Sequence, residues 1–224
     1  YDADAQAVWD AFAEYGVASY LLLERGGVWY AVFGLTGIDS DACAPMSGMV
    51  LHDIHATAQQ VVDAATAACL EANGVEPMVI CLSHSGTDGE GKGEDYELAQ
   101  AVEGIDVIIS GHTHTTLTQP IQVNDTLIVS CGEYGKNLVA RQSDGTVALA
   151  DYQLIPIDGS LEENPATARW IEQAKEEVEE NYLSDFGLTF DQVLADNPYP
   201  FDSVDQVYAT HHESTLGNLF SDAY

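Results

Sequence analysis

The sequence predicts an α/β fold with a mixed sheet. Two continuous apolar runs, at 78–82 and 106–110, are typical of central strands that are covered on both faces. A glycine-rich loop at 86–93 and a helical stretch at 94–102 separate these runs, and that connection is long enough for a parallel crossover. Beyond Pro120 the pattern changes to short strands joined by turns, which predicts antiparallel pairing in the second half of the sheet.

The first third of the chain predicts a helix, a hairpin and a second helix. Apolar residues share one stripe over 4–15, which indicates a short amphipathic helix. Strands at 18–24 and 28–35 flank an Arg-Gly-Gly turn, where glycine supplies the positive φ that a tight hairpin requires. The segment 53–72 is rich in Ala and Val and is followed by an Asn-Gly pair, as expected for a helix with a left-handed C-terminal cap.

The second half of the chain predicts small strands and then a linker helix. We expect the strands near 121–123, 126–130, 137–142 and 146–154. After Asp158 the composition becomes polar and acidic, and Pro165 falls in the first turn of a helix that we interpret as a linker. The predicted division is a main domain at 1–157, a linker helix and loop at 158–207, and the start of a second domain at 208–224.

The charge balance excludes broad nucleic-acid binding. Six Lys and Arg residues against 37 Asp and Glu residues give a formal net charge of −31, which repels a polyanion. No stretch reaches the roughly 18 consecutive apolar residues of a transmembrane helix. If the substrate is a phosphate ester, nearby positive charge must neutralise the phosphate. Six basic residues cannot do this alone, but bound cations could.

The cysteines give no sign of a zinc ribbon or of a disulfide framework. They stand at Cys43, Cys69, Cys81 and Cys131, without a C-x-x-C pair. Cys81 lies inside an apolar run, where a thiol behaves as a small hydrophobic side chain. We therefore interpret all four as ordinary buried residues, and the pattern leaves the redox compartment open.

Three histidines directly follow the two central strands. His84 lies within 82–86, and His112 and His114 lie within 110–114. Ligands bind at the carboxyl ends of strands in open α/β sheets, so we expect the three imidazoles to converge on one crevice. Neutral imidazole suits Zn, Mn or Fe, and an i, i+2 spacing in an extended segment would let one loop serve two ions. The three histidines predict a metal site, with surface or capping roles as the alternative.

Acidic residues flank the glycine-rich loop that follows His84. Asp88, Glu90, Glu94 and Asp95 either orient a ligand histidine or are solvated loop carboxylates. Three imidazoles cannot fill the coordination spheres of two ions. No D-x-H or N-H-[DE] pattern occurs in this sequence, so the remaining ligands of a two-ion site would have to come from elsewhere.

Two motifs resemble the calcineurin-like metallophosphoesterases of the 5′-nucleotidase group, which includes UDP-sugar hydrolases and 2′,3′-cyclic-nucleotide phosphodiesterases. They are Ile80-Cys81-Leu82-Ser83-His84-Ser85-Gly86 and Gly104-Ile105-Asp106-Val107-Ile108-Ile109-Ser110-Gly111-His112-Thr113-His114-Thr115. The segment Glu213-Ser214-Thr215-Leu216-Gly217-Asn218-Leu219 is similar to the opening helix of that group's C-terminal domain. The resemblance implies that the chain is the second half of a four-layer α/β/β/α sandwich with mixed sheets, plus a linker helix.

The resemblance also implies the chemistry. His84 and His112 would ligate one divalent ion and His114 the other, with Zn, Mn or Fe as the candidate metals. The implied function is a dinuclear-metal phosphoesterase of nucleotide catabolism, acting on small nucleotides outside the cell, at its surface or in the periplasm. Because the family's other ligands and its catalytic histidine are expected upstream of Tyr1, the chain alone should bind metal weakly and show no turnover. A non-catalytic acidic binding module that retains the fold is the alternative.

Overall fold

The computed structural model describes residues 6–46, 50–140, 152–203, 206–207 and 213–224. By its internal contacts the chain divides into two compact units, Tyr1–Leu161 and Glu162–Tyr224. The division into a catalytic part, a linker and the start of a second domain stays a prediction.

The first unit is built on a six-stranded mixed sheet. Its strands are β1 (Leu21–Arg25), β2 (Val28–Thr36), β3 (Met78–His84), β4 (Val107–Ser110), β5 (Ile121–Val123) and β6 (Thr126–Val129), in the spatial order β1-β2-β3-β4-β6-β5. Strands β2, β3, β4 and β6 are parallel neighbours, which confirms the predicted parallel crossover. The predicted antiparallel second half is wrong for β6, which lies parallel to β4, and right for β5.

The helices of this unit agree with the predicted ones and include one short addition. They are α1 (Gln6–Glu14), α2 (Ile38–Ala42), α3 (Ile54–Asn73) and α4 (Glu94–Ala101). Helix α3 begins after Asp53, whose side chain accepts a hydrogen bond from the Ala56 N–H, and it ends at Gly74 in the left-handed conformation. The short helix α2, which the sequence analysis does not predict, follows β2 directly.

Helices α3 and α4 cover one face of the sheet. The core there joins Phe33, Cys81, Ile108 and Ile128, which are neighbours in register across the four parallel strands, to Leu98 of α4 and to the alanines and valines of α3. Full burial of the Phe, Ile, Leu and Val side chains in this core stabilises the fold by about 1.5–3 kcal/mol each. This helix layer fixes the strand ends from which the candidate site is built.

The other face of the sheet is partly open in the described residues. Leu82 is 48% exposed and Ile109 is 43% exposed, and the two are partners across β3 and β4. The prediction that the central strands are covered on both faces is therefore wrong for this chain. Both faces of these strands carry apolar side chains, so the sequence run resembles that of a fully buried strand, whereas the described helices of the first unit cover one face only.

The remaining elements lie after the six-stranded sheet. Strands β7 (Asn137–Ala140) and β8 (Gln153–Pro156) form a separate antiparallel pair, while residues 141–151 of the predicted strands lie outside the described residues. The second unit contains α5 (Pro165–Asn181) and α6 (Thr215–Ala223), joined in part by a short 3₁₀ turn at Leu183–Phe186. Within the described ranges, no helix combines the length and the apolar character that a membrane span requires.

Candidate metal centre

His84 and His112 meet at the carboxyl edge of the sheet. His84 is the last residue of β3, and His112 stands two residues beyond the end of β4. Their ring centroids are 5.0 Å apart, with the planes inclined by 63°. The Gly111 N–H donates to the Ser83 carbonyl at 2.9 Å, and a Cβ on Gly111 would lie 3.3 Å from Nδ1 of His84. Glycine at this position allows the two strand ends to approach closely.

His114 lies in the same loop and contacts a different set of side chains. Its Nδ1 is 2.7 Å from Oε2 of Glu133, and its ring centroid is 5.7 Å from that of Tyr134. Lys136 donates to the other Glu133 oxygen at 2.9 Å, and this bond holds the pKa of Glu133 below its ordinary value. Glu133 follows β6, so a third strand end contributes to this region.

The loop of His112 and His114 is not extended. Both residues have left-handed backbone conformations, with φ of 72° for His112 and 56° for His114. The expectation that an i, i+2 spacing acts through an extended segment is therefore wrong. The side-chain directions are set instead by the left-handed backbone on either side of Thr113.

Asp39 contacts the ring of His112 from the end of β2. Its Oδ2 lies 2.9 Å from Nε2 of His112. The Glu94 carboxylate accepts hydrogen bonds from the backbone N–H groups of Ile38, at 2.6 Å, and of Asp39, at 2.8 Å. A Cβ on Gly37 would lie 2.6 Å from the Cα of Ser85 as well as 2.6 Å from Glu94 Oε2, so the capped start of α2 requires glycine there. Glu94 thus fixes α2 and, through it, Asp39.

Sequence reasoning missed Asp39 and Glu133, although a signal for both was present. Each follows a strand that lies parallel to β3 or β4, and that position is the one that singled out the histidines. Asp39 lies three residues after β2, and Glu133 lies four residues after β6. The four parallel strands therefore all send polar side chains to one edge of the sheet.

Cys43 is exposed, which corrects the interpretation of all four cysteines as buried. Cys69 and Cys81 are buried and Cys131 is partly buried, and all four are free thiols. One ligand atom each of Asp39, Cys43 and His112 lies within 4.8 Å of the others. The Cys43 thiol therefore lies close to the Asp39–His112 pair.

Asp95 is a buried carboxylate that organises the loop after His84. It accepts hydrogen bonds from Ser83 Oγ, at 2.5 Å, and from the Gly86 N–H, at 3.1 Å, and its side chain is fully buried. Burial raises the pKa of Asp95, and its hydrogen bonds oppose that shift. Of the two interpretations of the acidic loop residues, the solvated one is wrong for Asp95, which holds the residues on both sides of His84.

The raised pKa of Asp95 predicts a specific pH dependence of stability. Because the pKa of Asp95 is raised in the native state, the native state binds the carboxyl proton more tightly than the unfolded chain does. The contribution of Asp95 to the unfolding free energy should therefore fall as pH rises from about 4 through the native pKa. Asp95→Asn removes the titrating group, so denaturant titrations of this variant and of the wild type should differ by an amount that changes with pH across this range. A pH-independent difference in unfolding free energy would contradict the prediction.

Thr113 joins the two histidine loops. Its Oγ1 donates to the Thr87 carbonyl at 2.8 Å and accepts from the Thr87 N–H at 3.2 Å. Gly86 has a φ of 97°, and a Cβ at this position would overlap the Thr113 methyl group. His84 and His112 are thus held by loops that pack directly against each other.

Two curated proteins are similar to the chain in sequence. It is 32% identical over 219 residues to the trifunctional nucleotide phosphoesterase protein YfkN of Bacillus subtilis, covering 93% of the chain and 14% of that protein. It is 28% identical over 171 residues to the snake venom 5′-nucleotidase of Naja atra, covering 65% of the chain and 29% of that enzyme. The chain therefore spans less than a third of either relative. No protein-family model matches it.

Solved structures identify the fold. The sulfate thiohydrolase SoxB of Thermus thermophilus matches with a TM-score of 0.56 and 23% identity, covering 74% of the chain and 29% of that structure. The NAD nucleotidase NadN of Haemophilus influenzae matches with a TM-score of 0.52 and 18% identity, covering 72% of the chain and 42% of that structure. The α/β class with a mixed sheet is confirmed. Together with the two sequence relatives, these matches confirm the resemblance that the motifs show to the metallophosphoesterases of the 5′-nucleotidase group.

Proposed function

We propose that His84, His112 and His114 belong to a dinuclear metal centre that hydrolyses nucleotide phosphate esters. The observation that carries the proposal is the meeting of the His84 and His112 rings, 5.0 Å apart, at the carboxyl ends of two parallel strands. A ligand site is expected at this edge of an α/β sheet. The names of both sequence relatives, a nucleotide phosphoesterase and a 5′-nucleotidase, support the substrate class.

The donor chemistry at this edge fits divalent transition metals. Imidazole nitrogens suit Zn, Mn and Fe, and carboxylates that contact ligating histidines commonly orient them. His112 and His114 each have such a carboxylate within hydrogen-bond distance. Two bound divalent ions would supply Lewis acidity and positive charge toward a phosphate group.

The residues of this chain have distinct parts in such a centre. His84 and His112 would hold one ion and His114 the other, while the coupled loops around Thr113 keep the imidazoles in place. With a formal net charge of −31, the chain has few cationic side chains to meet a phosphate, so bound ions are the natural source of positive charge. The non-catalytic acidic module is not favoured, because both sequence relatives are named as hydrolytic enzymes.

We further propose that the substrate is a small nucleotide and that the protein acts outside the cytoplasm, at the cell surface or in the periplasm. Support for the location comes from the relative that is named as a venom enzyme. Since three imidazoles cannot complete two coordination spheres, the 224-residue chain alone should bind metal weakly and release no phosphate from AMP. Chelator-sensitive phosphate release by the purified chain would contradict this last point.

The metal ligands are tested by titrating Zn²⁺ and Mn²⁺ into the natural protein that carries this sequence. We expect His84→Ala and His114→Ala each to lower the number of tightly bound ions, because each removes a ligand from a different ion. His52→Ala, which changes an exposed histidine in the loop before α3, serves as the control and should leave the stoichiometry unchanged. Unchanged stoichiometry in both site variants would refute the assignment.

A further inference from the structure

We propose that Asp39 and Glu133 are positioning residues that make the two neighbouring histidines present opposite ring nitrogens. Asp39 holds Nε2 of His112, which leaves Nδ1 for an ion, and Glu133 holds Nδ1 of His114, which leaves Nε2. The inference rests on the proposed function for the metal centre, and it extends that proposal to two residues and to the ring atoms that bind.

The two contacts are of hydrogen-bond length. The distance from Asp39 Oδ2 to His112 Nε2 is 2.9 Å, and that from Glu133 Oε2 to His114 Nδ1 is 2.7 Å. An ionised carboxylate only accepts hydrogen bonds, so the ring nitrogen that faces it carries the proton. In a neutral imidazole the other nitrogen then keeps its lone pair, and this is the nitrogen that can bind a metal ion.

Both acidic residues are anchored by a second contact. The backbone of Asp39 is fixed by the Glu94 carboxylate, which caps the N–H groups at the start of α2. The Glu133 side chain is fixed by Lys136, which donates to its second oxygen. Each acidic residue thus has a support that does not involve the histidine it contacts, at the backbone for Asp39 and at the side chain for Glu133.

The arrangement also follows from the order of the strands. Asp39 comes from the end of β2, on one side of the β3–β4 pair, and Glu133 comes from the end of β6, on the other side. His112 and His114 share one loop between these two flanks. The backbone is left-handed at both histidines, and their rings contact different carboxylates.

A competing role for Asp39 is direct ligation. One ligand atom each of Asp39, Cys43 and His112 lies within 4.8 Å of the others, so these residues could bind one ion as a set. In that case the ion, and not a proton, would occupy Nε2 of His112, and Cys43→Ser would weaken binding as much as Asp39→Ala. The positioning role predicts that Cys43→Ser has no effect.

The test uses the full 224-residue chain with ¹⁵N-labelled histidine, at a pH where the imidazoles are neutral. Long-range ¹H–¹⁵N spectra identify the protonated nitrogen of each ring without any metal. We expect the proton on Nε2 of His112 and on Nδ1 of His114, and we expect Glu133→Ala to move the His114 proton to Nε2, the form that a free imidazole favours. An Nδ1-protonated His112 or an Nε2-protonated His114 in the wild type would overturn the inference.

Zn²⁺ titration of the natural protein that carries this sequence gives the second measurement. Asp39→Ala and Glu133→Ala should each weaken Zn²⁺ binding about 10- to 100-fold, the usual effect of removing a carboxylate that orients a ligating histidine. Asp41→Ala, which removes the same charge from the same helix, and Cys43→Ser are the controls. Equal losses in Asp39→Ala and Cys43→Ser would overturn the positioning role of Asp39. If the wild-type tautomers are as expected but Zn²⁺ perturbs neither ring, the metal centre fails and the carboxylate–histidine pairing stands.

Discussion

Replacing His112 by alanine is expected to lower phosphate release from AMP by the natural protein at least about 100-fold. Loss of a carboxylate that merely orients a ligand costs about 10- to 100-fold in metal affinity or activity, so loss of the ligand itself should cost at least the upper end of that range. His112 stands where the His84 ring and the Asp39 carboxylate meet, and alanine removes the group that both contact. The measurement is kcat under saturating AMP, at a fixed metal concentration that is just sufficient to saturate the wild type.

Metal dependence separates this prediction from general damage to the fold. Raising the Zn²⁺ or Mn²⁺ concentration should restore part of the activity of His112→Ala, because the defect lies in ion binding. An exposed histidine outside the site, changed in His52→Ala, should leave kcat close to that of the wild type. Activity of His112→Ala within a few-fold of the wild type would contradict the assignment of His112 as a ligand.

Replacing Gly86 by alanine is expected to lower the unfolding free energy by about 2–6 kcal/mol. The residue has a φ of 97°, a conformation that costs a non-glycine residue about 1–3 kcal/mol. The added Cβ would also overlap the Thr113 methyl group, and overpacking of this kind costs about 1–3 kcal/mol. Because Thr113 lies between His112 and His114, the clash should also displace the ligand loop and weaken Zn²⁺ binding.

Gly89, three residues further along the same loop, provides the matched control. A Cβ at this position would meet no atom within 4 Å, and its backbone is not left-handed. Gly89→Ala should therefore change the unfolding free energy by no more than about 0.5 kcal/mol. Denaturant unfolding of both variants gives the comparison, and equal stability of the two would refute the argument from Gly86.

Local patterns were enough to predict most of the elements of the first unit. The Asn-Gly pair marked the end of α3, and the Gly26-Gly27 pair, with φ of 60° and 82°, marked the β1–β2 turn. The parallel pairing of β3 with β4 followed from the length of the connection between them. These features depend on the backbone preferences of residues close together in sequence, and such preferences are legible without a structure.

Features that depend on distant residues were not legible in the same way. Leu82 is exposed because the helices pack on the opposite face of the sheet. An apolar run in the sequence does not show which face the helices will cover. The contact of Asp39 with His112 joins residues 73 positions apart, through a helix that is capped by Glu94, 55 positions away. The rule that ligands bind at the carboxyl ends of strands applies to Asp39 and Glu133 as well. The sequence did not show which strand ends are adjacent, because that depends on the spatial order of the strands.

The left-handed backbone of His112 and His114 lowers the stability of the protein at the positions proposed to bind metal. A histidine residue in that conformation carries a backbone strain of about 1–3 kcal/mol, which glycine would relieve. A chain selected only for resistance to unfolding would therefore favour glycine at both positions. The two histidines therefore lower the unfolding free energy of the protein. A loop whose only role is structural would gain nothing from this loss of stability.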